Sequence, residues 1–292
     1  MVKLDIVLIT YNQAQYIAQA LDGLIMQRVS SDVEVRVIVA DDASTDDTLA
    51  IIRSYEAQSP FPFVYLPTEA NMGHINNYKR AFAACTSEYV CVLEGDDWWT
   101  SSHHLQNHVM CLSEHQECSM SVNKLIFYFQ DKKVFCLRKN LYEGDICYVN
   151  TQDHILQNRV DNHSACCYRT KLLKQVPDSI FGETFDDWVL GIYMAQYGFI
   201  AQLGVATSVY RIHSHGVWSG LGMNYQNEMV LNNIARADEI FEGRYHDWFE
   251  EARRIVIQRI APAKKHKLRE YLPEWLLNLY HGIVPPILRH KL

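Results

Sequence analysis

The sequence predicts an α/β fold: a mostly parallel, Rossmann-like sheet flanked by helices, with a helical C-terminal extension. Two observations carry the prediction. Short apolar runs alternate with segments of helical period through the first hundred residues, and each run ends in a polar or acidic cluster. Right-handed crossovers place such strand ends on one edge of the sheet, where ligands of open parallel sheets bind.

Leu4 to Ile9 is apolar apart from Asp5 and stops at Thr10-Tyr11-Asn12, the profile of a strand buried on both faces. Ile17, Leu21, Leu24 and Ile25 then form one apolar stripe on a helix from about Ala14 to Gln27. Val33 to Ala40 is rich in β-branched residues and predicts a second strand, ending at Asp41-Asp42. Ser44, Thr45 and Asp46 are candidate caps for a helix carrying Leu49, Ile52 and Tyr55. Phe63 to Leu66 predicts a third strand, Asn76 to Ala84 a helix, and Tyr89 to Leu93 a fourth strand that runs into Glu94-Gly95-Asp96-Asp97. Between Ser101 and Arg159 the pattern supports a helix near His104 to Leu112 and strands near Leu125 to Phe129 and Lys133 to Leu137. Asp186 to Tyr197 has helical spacing with Gly198 placed to end it, and Ala201 to Arg211 returns as a strand. Beyond Gly222 the period is helical through Ile260, with an interruption at Pro262.

The chain has 292 residues, 48% of them hydrophobic and 21% charged, which excludes disordered and fibrous classes. Its net charge of −7 offers no broad attraction to nucleic acid. From Arg253 onward, however, nine bases face two acids, leaving the preceding residues at −14. Eight cysteines lack any Cys-x-x-Cys spacing, so buried thiols in a reducing cytosol are expected. The N-terminus has no signal-peptide pattern, and no apolar run approaches the length of a membrane span.

Three carboxylates within Glu94-Gly95-Asp96-Asp97 are costly to crowd unless a cation compensates them, and oxygen ligands suit Mg²⁺ or Mn²⁺. Taken with Asp5 to Asn12, Val39 to Asp46, Asn71-Met72-Gly73 and Trp98-Trp99, this motif resembles the family 2 glycosyltransferases of GT-A fold in order and spacing. The resemblance extends through Phe185-Asp186-Asp187-Trp188 and Tyr210-Arg211-Ile212-His213, covering about residues 4 to 218.

The resemblance implies roles at matching positions. Thr10, Tyr11 and Asn12 would contact the donor nucleobase, Asp41 and Asp42 the base or ribose, and Asn71 and Asn77 the nucleotide. Glu94 replaces the first aspartate of the family's usual Asp-x-Asp and is assigned to the donor; Asp96 and Asp97 are assigned to the metal. Asp187, beside Asp186, matches the catalytic base; Asp186 is equally well read as a helix cap. His213 would touch metal or diphosphate and Arg211 would offset phosphate charge.

These assignments imply a GT-A catalytic domain over residues 1–220 and a helical region over 221–292. The implied reaction is inverting transfer of a sugar from a nucleotide-diphosphate donor to a glycan or lipid-linked oligosaccharide, with a divalent cation. The alternative is a nucleotide-sugar-binding module without turnover. A dinucleotide oxidoreductase is excluded by the lack of a Gly-x-Gly-x-x-Gly turn after the first strand. The basic, Trp- and Leu-containing tail is expected either at an anionic membrane surface, at the inner face of the cell membrane, or docked on the catalytic domain.

Overall fold

The computed structural model describes residues 1–138, 144–182, 185–216 and 218–260. The tail expected to meet a membrane or dock on the domain therefore lies, from residue 261, outside the described residues.

In chain order the elements are β1 (Val2–Thr10), α1 (Ile17–Ile25), β2 (Val33–Asp41), α2 (Thr48–Glu56), β3 (Phe63–Tyr65), α3 (His74–Ala84) and β4 (Tyr89–Glu94). A short β5 (Trp98–Trp99) leads to α4 (His104–Glu114), β6 (Cys118–Phe129), β7 (Val134–Leu137), β8 (Ile146–Val149) and α5 (Thr151–Leu156). One 3₁₀ turn (His163–Ala165) precedes β9 (Cys166–Arg169), α6 (Thr170–Leu173), α7 (Asp187–Ala195), β10 (Phe199–Ile212), α8 (Met223–Ile240) and α9 (His246–Ile260).

The strands form one sheet in the order β3-β2-β1-β4-β9-β6-β10-β5. Its first four members are parallel. The second half is mixed, because β9 runs antiparallel to both β4 and β6, while β10 is parallel to β6. Register then gathers the strand ends, with Thr10 opposite Asp41 and Ile9 opposite Glu94.

Period-2 alternation sends the apolar residues of β1 to both faces of the sheet, while its buried Asp5 is paired with Arg36. Leu4, Ile6 and Leu8 enter the core beneath α1 and α4, whereas Val7 and Ile9 enter the core beneath α3 and α7. Gly23 lets α1 lie against β5, since a Cβ there would meet the Trp99 backbone at 2.7 Å. The helices after residue 220 complete the second of these cores: Ile234, Ala237, Phe249 and Ala252 are buried in it, and Phe249 meets Trp188 edge-on at 6.1 Å. All eight cysteines are free thiols, six of them buried. Among the described residues no helix is long and apolar enough to cross a membrane.

Candidate active site

The ends of β1 and β2 are knitted together by short polar side chains. Asp41 accepts from Ser44 N at 2.9 Å and from Ser44 Oγ at 2.5 Å, while Asp42 accepts from Met72 N and Gly73 N, each at 2.9 Å. Both carboxylates are buried, so they brace the loops at the edge of the site. Gly73 takes φ 84°, a left-handed conformation that lets its N–H turn toward Asp42. Asn12 receives Thr45 N on its Oδ1 at 2.8 Å and donates its own N–H to Ser44 Oγ at 2.9 Å. Tyr11 stands 45% exposed, an accessible ring at the head of β1, and Asn71 is exposed beside Asp42.

Thr10 and Asn77 are placed differently from the expected nucleotide contacts, for both are buried. Asn77 donates to Ala40 O at 2.7 Å and accepts from Arg80 Nε at 2.7 Å; Arg80 continues to Pro67 O and Asp41 O, each at 2.8 Å. This chain of bonds ties α3 to the end of β2. The Thr10 hydroxyl is buried without a hydrogen-bond partner, as is Gln13 Oε1. They lie against Gly95, where a Cβ would meet Thr10 Oγ1 at 3.0 Å and Ile17 Cδ1 at 2.9 Å. Glycine is thus required for the acidic loop to sit on the β1 turn.

Within that loop the three acids have separate tasks. Asp97 is almost fully buried and accepts from Asn162 Nδ2 at 2.9 Å, Ser164 Oγ at 2.8 Å and Arg211 N at 2.8 Å. Its oxygens are committed to protein donors, so Asp97 fixes the loop and is not a direct metal ligand in this arrangement. Glu94 accepts from Tyr78 Oη at 2.7 Å and Asn162 Nδ2 at 3.0 Å. Burial, reinforced by the charge of Asp96, raises its carboxyl to about 8, and the charge of Asp187 adds to the rise. Asp96 is the more accessible acid, its side chain 21% exposed, and its Oδ2 lies 3.0 Å from His213 Nε2. The other ring nitrogen of His213 meets Tyr16 Oη at 3.3 Å.

Arg211 also departs from its expected role. It is buried, with Nε donating to Asp96 O and the two terminal nitrogens to Gln130 and Gln19, each bond 2.6 Å long. Trp98, Tyr16 and Tyr128 surround its guanidinium at 4.6, 4.8 and 5.6 Å. A cation so enclosed supports the acidic loop from beneath, with three of its five N–H groups committed to protein acceptors.

Among the described residues no cluster of three His, Cys, Asp or Glu side chains forms a complete metal site. Asp96 and His213 supply one carboxylate oxygen and one imidazole nitrogen, two ligands that would hold a divalent cation when other oxygens complete the shell.

Asp186 and Asp187 open α7. Asp186 is the N-cap, its Oδ1 accepting from Val189 N at 2.8 Å and its Oδ2 from Asn233 Nδ2 at 3.1 Å. Burial and the adjacent Asp187 raise it to about 7. Asp187 accepts from Asn158 Nδ2 at 2.8 Å; burial raises it, against the Asn158 bond and the charge of Arg138. The acidic loop and α7 share one electrostatic neighbourhood. The phenol of Tyr210 is pushed up first by burial, then by the charges of Asp97, Glu94, Asp96 and Asp187 together.

Asn158, Asn162, Ser164 and Tyr78 carry no motif and escape a reading of the sequence. Each acts through a partner 16 to 70 positions away, so no local spacing signals it.

Residues 5–176 match the profile of Glycosyl transferase family 2. An uncharacterised protein of Mycobacterium tuberculosis is 33% identical over 216 residues, covering 74% of this chain and 60% of that protein. The chain thus spans about three fifths of the length of this relative. An uncharacterised glycosyltransferase of Nostoc sp. is 33% identical over 104 residues, 36% of this chain and 31% of its own length. Among solved structures, S. aureus TarS 1–349 in complex with UDP-GlcNAc is similar at TM-score 0.61 and 19% identity, covering 90% of this chain and 77% of that one. The mannosyltransferase PcManGT from Pyrobaculum calidifontis, in complex with GDP-Man and Mn²⁺, is similar at TM-score 0.58 and 17% identity, covering 96% and 79%. Those two likenesses speak for the fold, which is GT-A. Because the family profile covers more than half of the chain and takes in the ends of β1, β2 and β4, the chain belongs to glycosyl transferase family 2.

Proposed function

We propose that this chain is an inverting glycosyltransferase that moves a sugar from a nucleotide-diphosphate donor to a hydroxyl of a glycan or lipid-linked oligosaccharide. The observation that carries the reading is that one short segment holds acidic groups from two distant parts of the chain: Asn162 donates to Glu94 and Asp97, and Asn158, in the same segment, donates to Asp187. Acids brought together from β4 and α7 suit a reaction needing a cation at one group and a proton acceptor at the other.

In this reading Tyr11 lies against the nucleobase, and Asp41, Asp42 and Asn71 hold the loops that frame the nucleoside. Asp96 and His213 would hold a divalent cation, which supplies compensation for the charge of the leaving diphosphate. Glu94, with Tyr78 and Asn162 fixing its oxygens, faces the donor between them. Asp187 accepts the proton of the acceptor hydroxyl as that oxygen attacks the anomeric carbon opposite the diphosphate. Its raised affinity for a proton brings it nearer the operating range of a general base than a free aspartate. Asp186 supports this by capping α7. A site on the inner face of the cell membrane, reached through the basic tail, completes the reading.

A donor panel that includes UDP-GlcNAc and GDP-Man, assayed with and without Mn²⁺ for nucleoside diphosphate release, tests the proposal alongside a separate acceptor screen. Asp187→Asn is expected to bind donor normally and transfer nothing. Near-normal turnover by that variant overturns the assignment, as does full activity of Asp96→Asn in excess Mn²⁺.

A further inference from the structure

α5 and the 157–162 segment that follows it are tied to α7 at several points. His154 Nε2 faces Trp188 O at 3.1 Å, and Trp188 Nε1 donates back to His154 O at 2.9 Å. His154 Nδ1 faces Arg159 N–H at 3.2 Å, so the ring carries its proton on Nε2. Burial pushes this imidazole down to about 3, which keeps it neutral throughout the working range. Gly191 admits the ring; a Cβ there would meet His154 Cε1 at 3.0 Å.

That anchoring delivers Asn158 to Asp187. Its Oδ1 accepts from Val160 N at 2.9 Å and Asp161 N at 3.2 Å, a turn in which Asp161 takes φ 64°. Two N–H groups on Oδ1 fix which way the amide points. Reversal would set NH₂ against N–H and carbonyl against carboxylate, so Nδ2 must donate to Asp187 Oδ2. Arg138 Nη2 in turn donates to Asn158 O at 2.9 Å, and the guanidinium pairs with Asp161.

We propose that Asn158 is the positioning residue for the base: it fixes the orientation of the Asp187 carboxylate and favours its ionised form, with Arg138 supporting the turn that carries it. This rests on the reading of Asp187 as the base. The groups facing Asp187 are Asp186 on α7, Glu94 on β4, Cys166 and Tyr168 on β9, Tyr210 on β10 and Arg138 after β7. Arg138 is the one cation of that set. Without Asn158, burial would act on Asp187 with only a backbone hydrogen bond and the charge of Arg138 opposing it.

Asn158→Ser tests this, because a serine hydroxyl can still accept from the turn N–H groups but cannot reach Asp187. Asn158→Ala serves as the second variant. In protein carrying ¹³C-carboxyl aspartate, the Asp187 signal, assigned by its loss in Asp187→Asn, is titrated with pH. The midpoint should rise by about one pH unit or more in both variants, and the acid limb of nucleoside diphosphate release from UDP-GlcNAc or GDP-Man should rise with it, a tenfold loss of rate per unit. An unchanged midpoint overturns the role of Asn158 while leaving Asp187 as base to be judged by Asp187→Asn. A midpoint that rises without moving the acid limb overturns Asp187 as the base instead.

Discussion

Replacing Asp186 by Asn separates the two tasks that this residue performs, capping α7 and placing a second acid beside Asp187. Asparagine caps helices as well as aspartate does, so the bond from Val189 N survives, while the charge is gone. Asp186 has its carboxyl raised from 3.8 to about 7, so between those values the folded protein keeps a proton that the unfolded chain has released. Stability therefore falls as pH rises through that window and levels off above about 7. Each pH unit of full difference is worth about 1.4 kcal/mol, and with partial exposure and a charge shared with Asp187 the total is about 2 to 4 kcal/mol. Asp186→Asn removes this loss. Urea unfolding followed from pH 4 to pH 9 should show the variant more stable than the parent at pH 8 by about that amount, with the two converging near pH 4. Asp186→Ala loses the cap as well and should recover about 1 kcal/mol less. Parallel pH profiles for Asp186→Asn and the parent would refute the reasoning, since they would mean that Asp186 ionises as readily in the fold as outside it.

Other variants test neighbouring parts of the account. Asn162→Ala strips a donor shared by Glu94 and Asp97 and should cost about 1 to 3 kcal/mol, read as a lowered Tm. Gly191→Ala drives a methyl group into the His154 ring and should destabilise by about 1 to 3 kcal/mol, measured by denaturant unfolding. His213→Ala leaves Asp96 without its imidazole neighbour and should lower Mn²⁺-dependent transfer about 100-fold with little change in Tm, which a metal titration of activity checks. Deletion of residues 264–292 should abolish sedimentation with anionic vesicles; equal sedimentation before and after deletion removes the membrane proposal.

The strands legible in the sequence are those whose burial is written as an unbroken apolar run. β1 from Ile6 to Ile9, β2 from Val37 to Ala40 and β4 from Tyr89 to Leu93 belong to that class because they are covered on both faces. β6 extends well before the expected Leu125, since Ser119, Ser121 and Asn123 interrupt its hydrophobic pattern. These polar residues are nonetheless buried, satisfied by Gly198 O, His108 and Ser208. β9 was equally hard to see: four residues inserted antiparallel between β4 and β6 carry no periodic signal. At the site, sequence identified the acids but not their division of labour. Asp96 and Asp97 look alike in a motif, and the donors Asn162, Ser164 and Arg211 N, far along the chain, set them apart. Arg211 was readable as a cation near phosphate, and its enclosure by Trp98, Tyr16 and Tyr128 appears only once the strand ends are brought together.

Crystals grown with Mn²⁺ and the donor selected by the panel, diffracted at a wavelength where manganese scatters anomalously, address the central claim directly. The account predicts one manganese peak at Asp96 and His213, touching the diphosphate, with the sugar's anomeric carbon turned toward Asp187. A diphosphate seated away from Asp96, or a sugar facing away from α7, would contradict it.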